Sequence, residues 1–254
     1  MFDSHLTDGQ QAEVAVALVL GAASMILQVR GREKAALLVL LTAALVMRVF
    51  FALLDPYLNQ WDESVHAVVA KNMMRDPFTP MLYREKAMAL PWGDWTDKHI
   101  WLHKQPFFLW LMAASMKVFG VSVFSIRLPS VVLSAALVYF TYGIGSALHG
   151  RSVAYLAALL TTYASWPLEF VAGFTSTDHN DAVFSALVGG SLWAYYRYRD
   201  RPGLKLILLV GVFAGCAVLT KWLTGLLVFA GWGALIIITR GNRVNEALRM
   251  FKSL

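Results

Sequence analysis

The stretch AALLVLLTAALVMRVFFALLDPYLNQWDESVH occupies residues 35–66 and joins an apolar run to an acidic pair. A run of about 20 apolar residues is what an α-helix needs to cross the hydrocarbon core of a bilayer. Asp62 and Glu63 follow at the point where such a helix leaves the membrane. Ionisable groups in membrane proteins collect where water, head groups or substrate can reach them. The stretch therefore predicts a transmembrane helix that delivers two carboxylates to one membrane face.

The composition of the whole chain is typical of an integral membrane protein. Of its 254 residues, 58% are hydrophobic and 15% are charged, whereas soluble domains are about 25% charged. The formal charge of +6 lies largely in short gaps between apolar runs, where topology explains it better than nucleic-acid binding. Cys216 is the single cysteine, so an intrachain disulfide is excluded. A cleavable signal peptide is not expected, because the first residues lack a basic segment.

Further apolar runs predict an all-α fold, a polytopic membrane helical bundle with about seven transmembrane helices. The predicted spans are 12–29, 35–54, 128–147, 152–172, 181–197, 204–220 and 222–239. The short gaps rich in arginine and lysine all fall on one side of this arrangement, and the positive-inside rule places that side in the cytoplasm. The run 12–29 is short and rich in alanine, so an interfacial position is an alternative for it.

The long loop 55–127 is predicted to lie outside the cytoplasm and to carry the function, because it is too long for a simple connector. Apolar residues recur at helical spacing over 65–75, and the apolar run 106–120 is too short to cross a bilayer. Both predict interfacial helices along the outer leaflet. The chain then divides into an extra span with a basic turn (1–34), a transmembrane module (35–240) and a cytoplasmic amphipathic tail (241–254).

Acids, amines and histidines from separate segments are predicted to meet at the outer face. They are Asp62, Glu63, His66, His103, Lys104, Asp178 and Lys221. Each one alone has an ordinary interpretation, such as a helix cap or a lysine that snorkels to the interface. Together they suit an anionic lipid substrate, because cations hold a phosphate and a carboxylate acts on a nucleophile. Arg48 and Arg127 add cations at a similar depth, with Glu169 as a structural partner for either.

The order of these motifs resembles that of GT-C glycosyltransferases, in the branch of protein O-mannosyltransferases and lipid A aminoarabinose transferases. The motifs are Asp62-Glu63, His103 to Pro106, Phe119-Gly120 with Arg127 to Ser130, Thr177-Asp178, and Leu219 to Lys221. The resemblance implies a hexosyl or pentosyl transferase that takes a sugar from a polyprenyl-phosphate donor and transfers it with inversion. It also implies a glycan, lipid or protein acceptor, and a bacterial inner membrane with the active site facing the periplasm.

The same resemblance implies roles for individual residues. Asp62 is expected to be the general base or the group that orients the acceptor, with Glu63 supporting it. Lys104 and Lys221 are expected to hold the donor phosphate, and Arg127 joins them in that role.

Asp178 and His66 are expected to bind substrate. His103 falls where the aminoarabinose enzymes carry a metal-binding glutamate, so a divalent metal is an option there, although no cofactor is required. Gln105 departs from the proline of the family motif. The relatives continue beyond about residue 240, so a partner chain supplying that part, or an inactive fragment, is an alternative. A non-catalytic membrane protein, such as a transporter half or a subunit that binds lipid-linked sugar, is another alternative, which the nearly charge-free spans disfavour.

Overall fold

The computed structural model describes residues 6–83, 99–174, 179–238 and 243–253. These residues confirm the all-α prediction, and the single β-type contact among them is an isolated bridge between Met81 and Ile100. The helices are α1 (Asp8–Val29), α2 (Glu33–Leu54), α3 (Asp62–Met73), α4 (Phe107–Phe119), α5 (Val123–His149), α6 (Arg151–Tyr163), α7 (Ser165–Ala172), α8 (His179–Asp200), α9 (Leu204–Lys221), α10 (Leu227–Ile238) and α11 (Arg243–Phe251), with a 3₁₀ turn (Trp222–Leu226) between α9 and α10.

Four of the described helical stretches are long and apolar enough to cross a membrane, namely α1, α2, α5 and the stretch Leu204–Ile238. The first of them covers the run 12–29 with one continuous helix, which packs on α2 through a hydrogen bond from Ser24 Oγ to the carbonyl of Ala36, at 2.7 Å. α8 is as long as α2 but carries Asp181 in its first turn and arginines in its last. These stretches support a multi-pass membrane protein. The sequence predicted seven spans, and four described helical stretches are both long enough and apolar enough to cross.

The predicted span 152–172 is broken into α6 and α7 at Ala164, which has extended backbone angles. Pro167 lies in the first turn of α7, where a helix does not need the missing N–H, so it favours a new helix start just after Ala164. Arg48 of α2 reaches this break and donates to the carbonyls of Thr161 (3.2 Å) and Thr162 (3.3 Å). These carbonyls belong to the last turn of α6 and have no partner within the helix. The expected pairing of Arg48 with Glu169 is therefore replaced by capping of a helix end.

The predicted spans 204–220 and 222–239 form a helical hairpin that turns at Lys221. Gly225 in the 3₁₀ turn lies so close to α9 that a Cβ atom there would be 2.3 Å from the backbone nitrogen of Val218. Further on, the ring of Trp232 contacts those of Tyr195 and Tyr198, with centroids 4.8 and 5.7 Å apart. Both tyrosines lie at the end of α8, near the start of α9. α10 therefore runs back along α9.

The two predicted interfacial helices are present as α3 and α4. Their apolar sides pack together in one buried cluster, which also includes Val183 and Leu187 of α8 and Ala217 of α9. With 13 residues, α4 is about 20 Å long and too short to cross the hydrocarbon core. The cluster attaches both helices to the first half of α8 and the last half of α9, and this arrangement positions the candidate site.

Substituting Arg48 tests its capping role. Arg48→Leu leaves the Thr161 and Thr162 carbonyls buried without a donor, and each such group costs about 1–3 kcal/mol. We expect a loss of about 2 kcal/mol or more of stability, measured as a lower melting temperature of the purified protein. Arg30→Leu, at the exposed end of α1, is the matched control and should melt as the wild type does. Equal melting of the two variants would contradict the role.

Candidate active site

Glu63 and Arg127 form a buried ion pair at the start of α3. The Glu63 carboxylate accepts from Nε of Arg127 at 2.7 Å and from a terminal guanidinium nitrogen at 3.0 Å. The side chains of Glu63 and Arg127 are 1% and 0% exposed. A two-point contact between guanidinium and carboxylate fixes both the distance and the orientation of the partners. The pair therefore fixes α3 to α5.

Arg127 also binds the chain segment that joins α2 to α3. Its guanidinium donates to the carbonyls of Ala52 and Asp55, both at 2.8 Å, and of Tyr57 at 2.9 Å. With the two contacts to Glu63, all five N–H groups of the guanidinium have acceptors. Arg127 thus has no donor left for a phosphate in this conformation, and the geometry favours a positioning role over the predicted donor binding.

Three further groups surround the Glu63 carboxylate. His179, the first residue of α8, places Nε2 at 2.8 Å, and Asn59 donates from its backbone N–H at 2.6 Å and its side-chain amide at 2.9 Å. Gly173 ends α7 with a φ of +70°, and a Cβ there would lie 3.0 Å from the carboxyl carbon. Burial alone would raise the pKa of Glu63, but the hydrogen bonds and charges of His179 and Arg127 outweigh it and lower the pKa to about 2.

Asp62 points into a separate, open cavity. This cavity has a volume of about 250 Å³ and is lined by Trp61, Asp62, Val65, Trp101, His103 and Lys104. The ammonium of Lys104 lies 3.8 Å from the Asp62 carboxylate, and both side chains are about one-third exposed. Asp62 and Lys104 therefore meet as the sequence predicted, in a place that solvent and a ligand can reach.

Lys221 forms the second exposed ion pair of the site, with Asp181 of α8. Its ammonium also lies 5.9 Å from the ring centroid of Phe184. The start of α8 contacts α3 through His179 and Glu63, so this pair is at the same end of the bundle as Asp62. The predicted convergence of carboxylates and lysines at one end is therefore present for all the described members.

Two strained tryptophans adjoin these residues. Among the described residues other than glycine, only Trp61 (φ +75°) and Trp222 (φ +58°) have positive φ angles. Such a conformation costs of order 1–3 kcal/mol and persists only where the surroundings enforce it. Trp61 directly precedes Asp62, and Trp222 directly follows Lys221. The strain therefore lies next to two of the positions where the sequence predicts chemistry.

The remaining candidates divide by location. His66 is buried, with its ring centroid 5.3 Å from Trp101 and 4.9 Å from Phe108, so it supports the cavity wall. Asp178 lies outside the described residues, and its predicted role stays a prediction.

The described part of the chain holds no cluster of three His, Cys, Asp or Glu residues suited to a metal. Asp62 and His103 supply two ligands at the cavity, but Lys104 already provides a cation beside one of them. The described groups therefore do not supply a complete set of metal ligands, and the metal predicted at His103 stays a prediction.

Two site residues received no role from the sequence. Asp181 is the partner of Lys221. His179 joins the start of α8 to Glu63. The signal available in the sequence is that both lie in a short polar gap between two apolar runs.

Glu63→Gln tests the structural role of the ion pair. The change leaves the Arg127 charge buried without its partner, and such a loss costs about 3–5 kcal/mol. We expect a clearly lower melting temperature, whereas Asp62→Asn, one residue away, should melt as the wild type does. An unchanged melting temperature for Glu63→Gln would contradict the role.

The pH dependence gives a second measurement on the same variant. Because the pKa of Glu63 falls from 4.5 to about 2 on folding, its contribution is complete above about pH 4.5 and is lost as the pH falls towards 2. The difference in melting temperature between wild type and Glu63→Gln should therefore be constant from pH 7 to 5 and shrink below 4.5. A difference that grows on acidification would exclude this linkage.

Comparison with known proteins identifies a family for this chain. The sequence model of the dolichyl-phosphate-mannose-protein mannosyltransferase family matches residues 103–251, which is more than half of the chain. This match includes Lys104, Arg127 and Lys221. No curated protein matches the chain significantly.

Two crystal structures have a similar fold. ArnT from Cupriavidus metallidurans in the apo state superposes with a TM-score of 0.64 and 17% identity, over 85% of this chain and 39% of that one. The Archaeoglobus fulgidus oligosaccharyltransferase in the apo form gives 0.60 and 16%, over 87% and 28%. The chain thus spans well under two thirds of either relative. Both relatives are GT-C glycosyltransferases, which confirms the resemblance found in the motifs. The chain belongs to the dolichyl-phosphate-mannose-protein mannosyltransferase family and has the GT-C fold.

Proposed function

We propose that this chain is the catalytic helical module of a membrane glycosyltransferase that takes its sugar from a polyprenyl-phosphate donor. The observation that supports this most directly is the open cavity in which Asp62 and Lys104 face each other at 3.8 Å. A carboxylate and an ammonium that are both within reach of a ligand suit a reaction in which a nucleophile loses a proton and a phosphate gains charge.

The donor phosphate binds to Lys104 and Lys221. Each lysine has a carboxylate partner in the structure, Asp62 and Asp181 respectively, and each pair is only partly buried. Exposed ion pairs contribute about 0–1 kcal/mol, so a phosphate can displace either carboxylate at little cost. Release from Lys104 leaves Asp62 free to accept a proton. Donor binding and activation of the base are therefore coupled in the proposal.

The reaction is a single displacement at the anomeric carbon of the sugar. The acceptor hydroxyl attacks this carbon and gives its proton to Asp62 while the new C–O bond forms. The bond between the anomeric carbon and the phosphate oxygen breaks, and polyprenyl phosphate leaves with one more negative charge. Lys104 and Lys221 stabilise that charge. Attack from the side opposite the phosphate inverts the anomeric configuration.

The distribution of charge supports a position of the Asp62 cavity outside the cytoplasm, because short gaps rich in arginine and lysine are typical of the cytoplasmic side. In a bacterium the cavity would then face the periplasm. The acceptor is a glycan, lipid or protein presented there. Because the chain spans 39% and 28% of its structural relatives, a further segment or a partner chain supplies part of the acceptor site.

Asp62→Asn should reduce turnover by about 10²–10⁴-fold, the usual contribution of a general base. The measurement is transfer of radiolabelled sugar from polyprenyl-phosphate donors in membranes that contain this chain as the only source of activity. Asp76→Asn, just after α3, is the matched control and should remain active. Near-normal turnover by Asp62→Asn, with the wild type active, would refute the assignment. A wild type that binds the donor without transfer would support a lipid-linked-sugar-binding subunit instead.

Lys104→Ala and Lys221→Ala should each lower turnover by about 10²–10³-fold, because each removes a group that contacts developing charge. Both should also weaken donor binding, measured by retention of labelled polyprenyl-phosphate sugar on the purified protein. Lys71→Ala on the exposed side of α3 is the control with the same loss of charge. If Lys71→Ala lowers turnover and donor binding as much as the other two variants do, net charge explains the loss, and Lys104 and Lys221 have no specific role.

A further inference from the structure

A second polar cavity lies at the opposite end of the bundle from Asp62. It has a volume of about 300 Å³, within the lower range of ligand pockets. Its lining includes Tyr195, Tyr198, Arg199, Trp232, Glu246 and Arg249. The cavity lies at the end of α8, and the candidate site lies at its start. A helix of 22 residues is about 33 Å long, so this cavity is separate from the proposed reaction.

The charge of this cavity suits an anion. Glu246 is occupied, since Arg249 donates to it at 2.6 Å and Nε1 of Trp232 at 3.4 Å. Arg199 is exposed and has no ion-pair partner within the described ranges. One negative and two positive groups leave a net positive charge in the lining, and arginine binds phosphate through a planar, two-point contact. The aromatic walls suit the less polar part of the same ligand.

The helix that closes this cavity suits contact with lipid. α11 packs the partly buried Met250 against the cluster formed by α8, α9 and α10, and its Glu246 and Arg249 line the cavity. A different side of α11 exposes Val244, Leu248 and Phe251, at the spacing of one helical face. A helix with an exposed apolar stripe and a basic side lies in the membrane interface with the stripe in the acyl region.

We infer that this cavity binds the phosphate head group of an anionic membrane lipid. The stripe of α11 enters the leaflet, and Arg199 and Arg249 then lie at head-group depth, where basic pockets between membrane helices bind such lipids. A soluble phosphate compound shares the binding chemistry but would gain nothing from the apolar stripe. The lipid head group is therefore the proposed ligand, and it would hold α10 and α11 against α8.

The test measures lipid binding to the purified full chain. Delipidated protein receives phosphatidylglycerol or phosphatidylcholine, and bound lipid is counted by native mass spectrometry while the melting temperature is followed. We expect phosphatidylglycerol to bind and to raise the melting temperature. Arg199→Ala should weaken this binding about fivefold, as expected for one arginine near an anionic surface. Arg201→Ala, at the same end but outside the cavity lining, should bind as the wild type does.

Each result separates the ligand sources. Equal weakening by the two variants would mean that only the general positive charge of this end attracts lipid, and would overturn the proposal. Equal binding of phosphatidylglycerol and phosphatidylcholine would also overturn the proposal. If inorganic phosphate or glycerol phosphate protects the protein as well as phosphatidylglycerol does, the source is soluble and the lipid assignment fails. A melting temperature of Arg199→Ala equal to that of the wild type without lipid shows that the variant is folded. Sugar transfer by Arg199→Ala should equal that of the wild type.

Discussion

The buried contact between Glu63 and Arg127 is the constraint on which the candidate site depends. It joins α3 to α5, and Arg127 reaches three carbonyls of the segment that leads from α2 into α3. Removing two charges from water costs several kcal/mol per ion, and attraction alone seldom compensates for it. Here every guanidinium N–H has an acceptor and the carboxylate has five donors in all, so the pair is held by hydrogen bonds as well as by charge. The result is a fixed start for α3.

This fixed start lets two adjacent acids have different roles. Successive residues on an α-helix point about 100° apart, so when Glu63 faces the interior its neighbour Asp62 faces the cavity. A similar division holds on α8, where residues two apart point about 200° from each other: His179 is buried against Glu63, while Asp181 is partly exposed and meets Lys221. The position of each exposed group is thus set by a buried neighbour. A small shift of the buried network would move the reactive groups of α3 and α8 together.

The sequence predicted the elements of the fold better than their breaks and partners. Apolar runs were enough to locate α1, α2 and α5, because length and hydropathy decide whether a helix can cross a bilayer. Hydropathy does not detect the break at Ala164, and a proline alone does not predict it either, because α5 continues through Pro129. The contact of Asp62 with Lys104, and the position of Lys221 at the same end of the bundle, followed from their shared membrane side. The choice of Glu63 rather than Glu169 as the partner of Arg127 depends on helix packing, which a pattern in one sequence does not encode.

The cations of this protein differ in how many of their donors are already used, and this difference separates supporting groups from ligand-binding ones. An ionisable residue within a membrane protein is a functional candidate by default, and Arg48 and Arg127 both meet that criterion. Yet Arg127 uses all five of its N–H groups and Arg48 four, mostly on backbone carbonyls. Lys104, by contrast, has a carboxylate at 3.8 Å and remains one-third exposed. A cation that must exchange its partner for a phosphate needs such a weak contact. A cation that joins helix ends needs an acceptor for each of its N–H groups. Arg48 and Arg127 therefore hold α2, α3, α5 and α6 together, whereas Lys104 has the weak contact and the exposure that the proposed phosphate binding requires.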